Sequence, residues 1–339
     1  MMWTRGWAAR LGWPWERERS RRIVLTVAML AGGVLTPLLF VPPAAAMAAG
    51  CEIPQKGTGS STSAAADEAA VIEIADDETP AGVKATPAAA RTDPQALLNS
   101  ELTAVSEALA DCLTAGDVQQ VVKLAGERYL GQLFGSSVPM SAEEFVTLAS
   151  PLTPVPTHVV SLAAVTAVDR NQATATVTHV VGNQLIQAEW LFERAPRGER
   201  AAGENQWRIV AERQLPVESP RGAETIDVRI AENAFALDRQ TVSGPDVVLR
   251  GENAADMDHE ILVLRYASGY TSTDLLRAAG PDLPAEVTYI GEIPVRAGST
   301  RDLVLVDLDP GTYTIVCLFP DPSGTPYLAY GMEATFTVE

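Results

Sequence analysis

Cysteine and histidine are scarce in this sequence, with three of each among 339 residues. Multi-zinc proteins and small disulfide-stapled scaffolds need more of these side chains, so both classes are excluded. Basic residues are also few: 25 Lys and Arg stand against 43 Asp and Glu, a net charge of −18. A chain this acidic repels nucleic acid and anionic lipid, and we expect neither as a partner. What is present, 47% hydrophobic residues, is typical of globular domains, and the length predicts two of them.

The first 51 residues have the layout of an export signal. Six arginines between Arg5 and Arg22 precede an apolar run over Ile23–Val41, and small residues follow as far as Gly50. Glycine and proline interrupt the apolar run, which favours a cleaved signal over a membrane span. We therefore predict an extracytoplasmic protein that meets a membrane only through this signal or through a lipid anchor.

The export route and the fate of Cys51 stay open at this stage. Residues Ser20–Leu25 resemble the twin-arginine motif but lack its usual aromatic residue and following lysine, so general secretion is the alternative. Residues Ala48–Cys51 resemble a bacterial lipobox in which Ala48 replaces the usual leucine. Cys51 either carries a lipid or lies just past a signal-peptidase cut.

Residues 52–93 are predicted to be a disordered linker. They are rich in Ala, Ser, Thr, Gly and Asp, and they contain no aromatic residue. Such a segment buries too little apolar surface to offset its ordering entropy.

Residues 94–217 are predicted to form an α+β cone. Leucine and valine recur at helical spacing up to Leu113, and Gly116 ends that helix. Two more helices are predicted, over 117–133 and 141–149, with the second helix uninterrupted. Alternating apolar residues then predict four strands between Val159 and Glu212. Helices followed by an antiparallel meander indicate helices packed on one face of a curved sheet.

The run Ala110–Asp117, followed by Val121–Leu133, resembles the helix–Gly-Asp–helix junction of the NTF2-like (SnoaL-like) superfamily. The resemblance implies a cone with an apolar ligand pocket, and it leaves enzymes, transport factors and binding modules open. Cones of this type often dimerise through the open sheet face, so a homodimer stays open too. His179 is predicted to point inward, as a general base or as a hydrogen-bonded core residue. Cys112 is predicted to be inert packing.

Residues 222–339 are predicted to form an all-β Greek-key sandwich, because short alternating strands are separated by turn residues. Four pieces of this region resemble the cupredoxin (blue copper) family: Asn253, His259 at the start of an apolar strand, Pro310–Cys317, and Gly331-Met332. The resemblance implies a copper site in which His259, Cys317, Met332 and a second histidine are the ligands. Thiolate, imidazole and a weak thioether are a donor set that suits both copper oxidation states.

The second histidine is missing from this sequence. The family's spacing places it five residues before Met332, where this chain has Tyr327. Tyrosine has a pKa of about 10 and is a poor ligand for Cu(I). A trio of His259, Cys317 and Met332 could hold Cu(I) weakly, and the alternative is an inherited fold in which Tyr327 fills the vacated ligand space and forms a hydrogen bond there.

Three functions are consistent with these features. We predict the first, a non-catalytic binding or interaction protein without a resident cofactor, whose partner is a small molecule or a protein. The second is a copper-binding or electron-transfer protein that uses the reduced ligand set. The third is an enzyme in the cone with His179 as its base.

Overall fold

The computed structural model describes Cys51 and residues 93–195, 207–278 and 282–339. The predicted export signal and linker, apart from Cys51 and Asp93, lie outside these residues. No helix within the described ranges has the length and apolar character needed to cross a membrane.

Four helices begin the folded part, and local sequence explains their ends. The Asp93 side chain accepts the N–H of Gln95 at the start of α1, Pro94 occupies the first turn, and Gly116 ends the helix with a left-handed φ of 68°. The helices are α1 (Pro94–Ala115), α2 (Val118–Leu124), α3 (Glu127–Leu133) and α4 (Ala142–Ala149).

The prediction of one continuous helix over 117–133 is wrong, because the chain is extended at Ala125 and Gly126. Gly126 donates its N–H to the carbonyl of Ile209 at 2.9 Å. A Cβ on Gly126 would lie 2.9 Å from a methyl group of Val210. A tertiary contact with the sheet therefore interrupts the helix.

An antiparallel sheet follows, and the helices pack on one of its faces. Leu102 and Leu109 of α1, Leu130 of α3, and Phe192 and Ile209 of the sheet are fully or almost fully buried in a common core. The strands are β1 (Thr157–Ala167), β2 (Gln172–Val181), β3 (Gln184–Arg194) and β4 (Trp207–Leu215). The relation to the NTF2-like superfamily stays a prediction.

The C-terminal part is a mostly β structure of two packed sheets, as predicted. One sheet has the order β11-β8-β5-β6, with β5 parallel to β8, and the other has the order β10-β9-β12-β13-β7. Helix α5 (Ser272–Arg277) lies in the connection between β9 and β10, and a capping box of Thr271 and Asp274 caps its N-terminus. The strands are β5 (Glu224–Ala231), β6 (Ala234–Leu237), β7 (Thr241–Val242), β8 (Val247–Asn253), β9 (His259–Tyr266), β10 (Val287–Val295), β11 (Thr300–Leu305), β12 (Gly311–Val316) and β13 (Glu333–Val338).

The two parts are joined through the turn between β2 and β3. Gln184 of β3 pairs with Leu305 of β11, so the β1–β4 strands and the β11-β8-β5-β6 strands form one eight-stranded sheet. Asn183 donates its backbone N–H to Ile290 O at 2.8 Å and its side-chain amide to Val306 O at 3.0 Å. Gly182 has a φ of 64°, and a Cβ there would lie 2.8 Å from Ile290 O. A side chain on the turn would disturb this junction.

Cys51 forms a disulfide with Cys112 of α1. The prediction that Cys112 is inert packing is therefore wrong, because its sulfur is covalently bonded. The predicted lipobox at Cys51 conflicts with the same bond, since a sulfur atom in a disulfide cannot also carry the thioether of a lipid anchor. Sequence alone could not indicate the pairing, because the two cysteines are 61 positions apart.

Candidate functional sites: an incomplete metal centre and a junction cavity

The predicted metal ligands come together in the core of the sandwich. His259 opens β9, Cys317 directly follows β12, and Met332 directly precedes β13; all three are fully buried. The Nδ1 atom of His259 lies 3.7 Å from the Sγ atom of Cys317. Backbone contacts also connect the Cys317 and Met332 segments, with Cys317 N–H donating to Met332 O at 3.4 Å. His259 and Cys317 are thus neighbours and the Met332 segment adjoins that of Cys317, while their role as metal ligands stays a prediction.

Asn253 holds the loop that precedes His259. Its side-chain amide donates to Met257 O and to Val295 O, both at 2.9 Å, and its Oδ1 accepts the N–H of Ala255 at 3.0 Å. Asn253 is 1% exposed, so these bonds are shielded from water. The loop geometry fixes the direction from which His259 enters the core.

Burial keeps both donor groups neutral. It lowers the pKa of His259, while nearby Asp258 acts in the opposite direction. Burial also raises the pKa of the Cys317 thiol far above its ordinary value, with the Glu260 carboxylate as the second cause. Backbone N–H groups of Glu260 and Phe319 partly oppose this rise. At neutral pH the thiol is protonated, and a metal would have to displace that proton.

Tyr327 occupies the space next to His259. The two ring centroids are 4.5 Å apart in an edge-on arrangement, and Tyr327 is 7% exposed. The short 3₁₀ helix Tyr327–Tyr330 places this ring, and Tyr327 N–H donates to Phe319 O at 2.9 Å. No hydrogen bond of the Tyr327 hydroxyl is found among the described residues. That the ring fills a vacated ligand space stays a prediction.

No other imidazole reaches the gap. His158 is on the edge strand β1, and His179 lines a separate cavity. Within the described ranges no group of three His, Cys, Asp or Glu side chains could hold a metal ion. Asp321 is committed to its own loop, where it accepts the N–H groups of Ser323 and Thr325. The donors that remain, one imidazole and two sulfurs, fit soft Cu(I) better than a centre that must serve both oxidation states.

A second candidate site is a cavity of about 360 Å³ between the helices, the β1–β4 sheet and strand β10. Tyr129, His179, Trp190 and Glu212 line it from the helical part, and Glu292 lines it from the sandwich. The ring of Trp190 contacts two others: its centroid is 5.8 Å from that of Tyr129 and 5.4 Å from that of His179. The volume is within the range of about 300–1,000 Å³ that is common for ligand pockets.

The titratable groups in this junction cavity have perturbed pKa values. Burial raises the pKa of Glu212 from 4.5 to about 7, although the Trp190 indole N–H close by acts to lower it. Burial and Glu212 together raise the pKa of Tyr129, while burial and His158 lower the pKa of His179 to about 4. At pH 6 the Glu212 carboxyl is therefore mostly protonated and the His179 imidazole is neutral. In water at the same pH a glutamate is ionised and a histidine is mostly protonated.

Two polar atoms in this group have no hydrogen-bond partner among the described residues: His179 Nδ1 and Trp190 Nε1. Both residues are almost fully buried. Buried polar groups in native proteins are normally satisfied, so the arrangement is incomplete as it stands. The inward direction predicted for His179 is confirmed, and a carboxyl group that sequence reasoning missed lies in the same cavity.

A β-bulge explains why Glu212 was missed. Leu191 pairs with Ala211 but Phe192 pairs with Ile209, so Val210 is an extra residue in β4. Strict alternation from Ile209 puts Glu212 on the solvent face, whereas the bulge reverses the alternation and places Glu212 opposite Trp190. The available signal was weak: a single glutamate that ends an otherwise apolar strand.

Comparison with solved structures gives copper proteins. The dithionite-reduced auracyanin of the photosynthetic bacterium Roseiflexus castenholzii is 23% identical, over 35% of this chain and 99% of that one, with a TM-score of 0.25. Auracyanin A of Chloroflexus aurantiacus, a "blue" copper protein, is 21% identical over 35% and 100%, also at 0.25. A multicopper oxidase of Campylobacter jejuni is 11% identical over 49% and 43%, at 0.23. TM-scores this low carry no argument about copper or activity. No protein-family model and no curated protein matches the chain.

Proposed function

We propose that this chain is an extracytoplasmic binding protein whose junction cavity holds a small organic molecule. The observation that carries the proposal is the cavity of about 360 Å³ and the groups that line it. Glu212 has a raised pKa there, and ring nitrogens of His179 and Trp190 lack hydrogen-bond partners among the described residues. A concave site with a few convergent polar groups and perturbed pKa values is the usual mark of a binding site. The Cys51–Cys112 disulfide supports an oxidising compartment outside the cytoplasm.

In this proposal the sandwich domain, of cupredoxin type, forms one wall of the site. Glu292 and Pro294 of β10 line the cavity together with residues of the helical part. The hydrogen bonds of Asn183 connect the two parts of the chain that form these walls. The ligand is therefore enclosed by both parts of the chain, and neither part alone forms the complete site.

The neutral fluorophore N-phenyl-1-naphthylamine tests this proposal. We expect saturable, one-to-one fluorescence enhancement with the exported protein. Ala110 lines the cavity from α1, so Ala110→Leu fills part of it and should abolish the enhancement. Ala115→Leu, at the exposed end of the same helix, is the matched control and should bind normally. Enhancement that is absent in the parent, or unchanged in Ala110→Leu, overturns the proposal.

A second candidate function is Cu(I) binding by His259, Cys317 and Met332. The 3.7 Å separation of imidazole nitrogen and thiol sulfur supports it, because both atoms could reach one ion. The chain's own residues would supply a thiolate, an imidazole and a thioether, and bound copper would supply one-electron redox chemistry. Titration of the exported protein with Cu(I) should give one equivalent of uptake that Cys317→Ser abolishes and that a substitution of the exposed Met257 by leucine leaves intact. Absence of uptake in the parent overturns this candidate.

A further inference from the structure

The carboxyl group of Glu212 is placed where it could bind a positively charged group of a ligand. It lies in a cavity where burial opposes its ionisation, and the Trp190 indole N–H is close to it without a hydrogen bond of good geometry. An ionised carboxylate in a low-dielectric site is stabilised by a countercharge and by donated hydrogen bonds. Ionisation of Glu212 would give the Trp190 N–H an acceptor, and a cation beside it would supply the countercharge.

The rings around Glu212 also favour a cation. Trp190 and Tyr129 line the cavity next to the carboxyl group, and electron-rich ring faces attract ammonium groups. Glu292 adds a second carboxylate to the lining. An anionic head group would be repelled by the Glu212 carboxylate. His179 is neutral at physiological pH, so it adds no positive charge that would repel a bound cation.

A second, apolar cavity of about 180 Å³ adjoins the first one. The two share the walls formed by Leu113, Leu133, Thr157 and Val181. Phe134 and Phe145 line the smaller cavity, and Cys112 of the disulfide is in its wall. An elongated ligand with its head beside Glu212 would direct an apolar tail toward these shared residues.

We propose that the ligand of the junction cavity is a small organic cation with an aliphatic tail, its ammonium head beside the Glu212 carboxylate and the rings of Trp190 and Tyr129. This inference rests on the proposed binding function and names the ligand class for that site. No group is transferred between ligand and protein; where Glu212 is protonated, its proton is released to solvent when the cation binds.

Binding must therefore depend on pH. Among the described residues, the titratable groups that line the cavity with Glu212 are Tyr129 from α3, His179 from β2 and Glu292 from β10, with His158 acting on His179 from β1. The pKa of Tyr129 is raised, so its hydroxyl stays protonated between pH 5.5 and 8. The pKa of His179 is about 4, so its imidazole stays neutral over the same range. With a pKa of about 7, Glu212 is about 3% ionised at pH 5.5 and about 90% ionised at pH 8. Cation affinity should rise about 30-fold over this range.

Three probes that share one tail test the inference by isothermal titration calorimetry of the exported protein: hexyltrimethylammonium, 1-hexanol and hexanoate. We expect the cation to bind at least about tenfold more tightly than the alcohol at pH 8, and hexanoate to bind most weakly. In Glu212→Gln the preference for the cation and the pH dependence should both disappear. Glu189→Gln removes an exposed carboxylate paired with Arg213 on the neighbouring strands and should retain both.

The outcomes separate this inference from the proposed function. If 1-hexanol binds as tightly as the cation, or if cation affinity does not change with pH, the ligand class is wrong while a binding cavity remains. If the cation does not bind but N-phenyl-1-naphthylamine does, the ligand class is wrong in the same way. If none of the probes binds, including the fluorophore, both proposals fail.

Discussion

Replacement of Glu212 by glutamine is expected to stabilise the folded protein, and to do so more at pH 8 than at pH 5. The pKa of Glu212 is raised in the fold from 4.5 to about 7, so the unfolded chain loses this proton first as pH rises. A difference of 7 − 4.5 = 2.5 pKa units corresponds to about 3 kcal/mol at pH 8, where both states are ionised, and to less than about 1 kcal/mol at pH 5. Glutamine has a similar shape and cannot ionise, so it avoids this cost.

Urea unfolding of the purified protein with its disulfide intact measures the effect, with circular dichroism as the signal. The expected gain in unfolding free energy is about 3 kcal/mol at pH 8 and less than about 1 kcal/mol at pH 5. Glu189→Gln is the control: its carboxylate is 42% exposed and bonded to Arg213, so we expect a small change that is equal at the two pH values. An equal change at both pH values in Glu212→Gln, or a loss of stability at pH 8, would refute the reasoning.

Three further predictions follow from the metal cluster and the junction. Tyr327→His restores the second imidazole, so Cu(II) should produce a strong visible thiolate-to-copper absorption band; a colourless product contradicts the placement of this loop. The Cys317 thiol should not react with Ellman's reagent in the folded protein, because burial raises its pKa, and denaturant without reductant should expose one thiol per chain. Three thiols would mean that the disulfide is not formed. Gly182→Ala should cost about 1–3 kcal/mol and weaken fluorophore binding, whereas Gly222→Ala, at a positive φ with nothing within 4 Å, should strain the backbone without affecting binding.

Periodicity in the sequence was enough to predict most of the secondary structure. The leucine spacing up to Leu113 and the glycine at 116 match α1, because local propensity and packing agree there. The apolar strand that begins at His259 is buried on both faces as β9, and its continuous hydrophobic pattern is visible in the sequence. The clustering of His259 and Cys317 was also predicted, from the cupredoxin resemblance.

What sequence could not predict depends on contacts between distant parts of the chain. The break at Gly126 comes from a hydrogen bond with Ile209, and the inward direction of Glu212 comes from one extra residue, Val210, in a paired strand. The junction cavity needs β10 of the sandwich as a wall, and that strand is about 100 residues along the chain from the Asn183 turn that it contacts. Register and docking are properties of pairs of segments, so a pattern within one segment does not reveal them.

The central claim is that the Glu212 carboxylate binds a cation, and the pKa of Glu212 tests it most directly. This pKa is measured by carbon-13 NMR of the Glu212 carboxyl group, in free protein and in protein saturated with hexyltrimethylammonium. The free protein should titrate near pH 7, and the bound cation should move that pKa below 5.5. A Glu212 pKa that is ordinary in the free protein, or that stays constant or rises when the cation is present, would contradict the account.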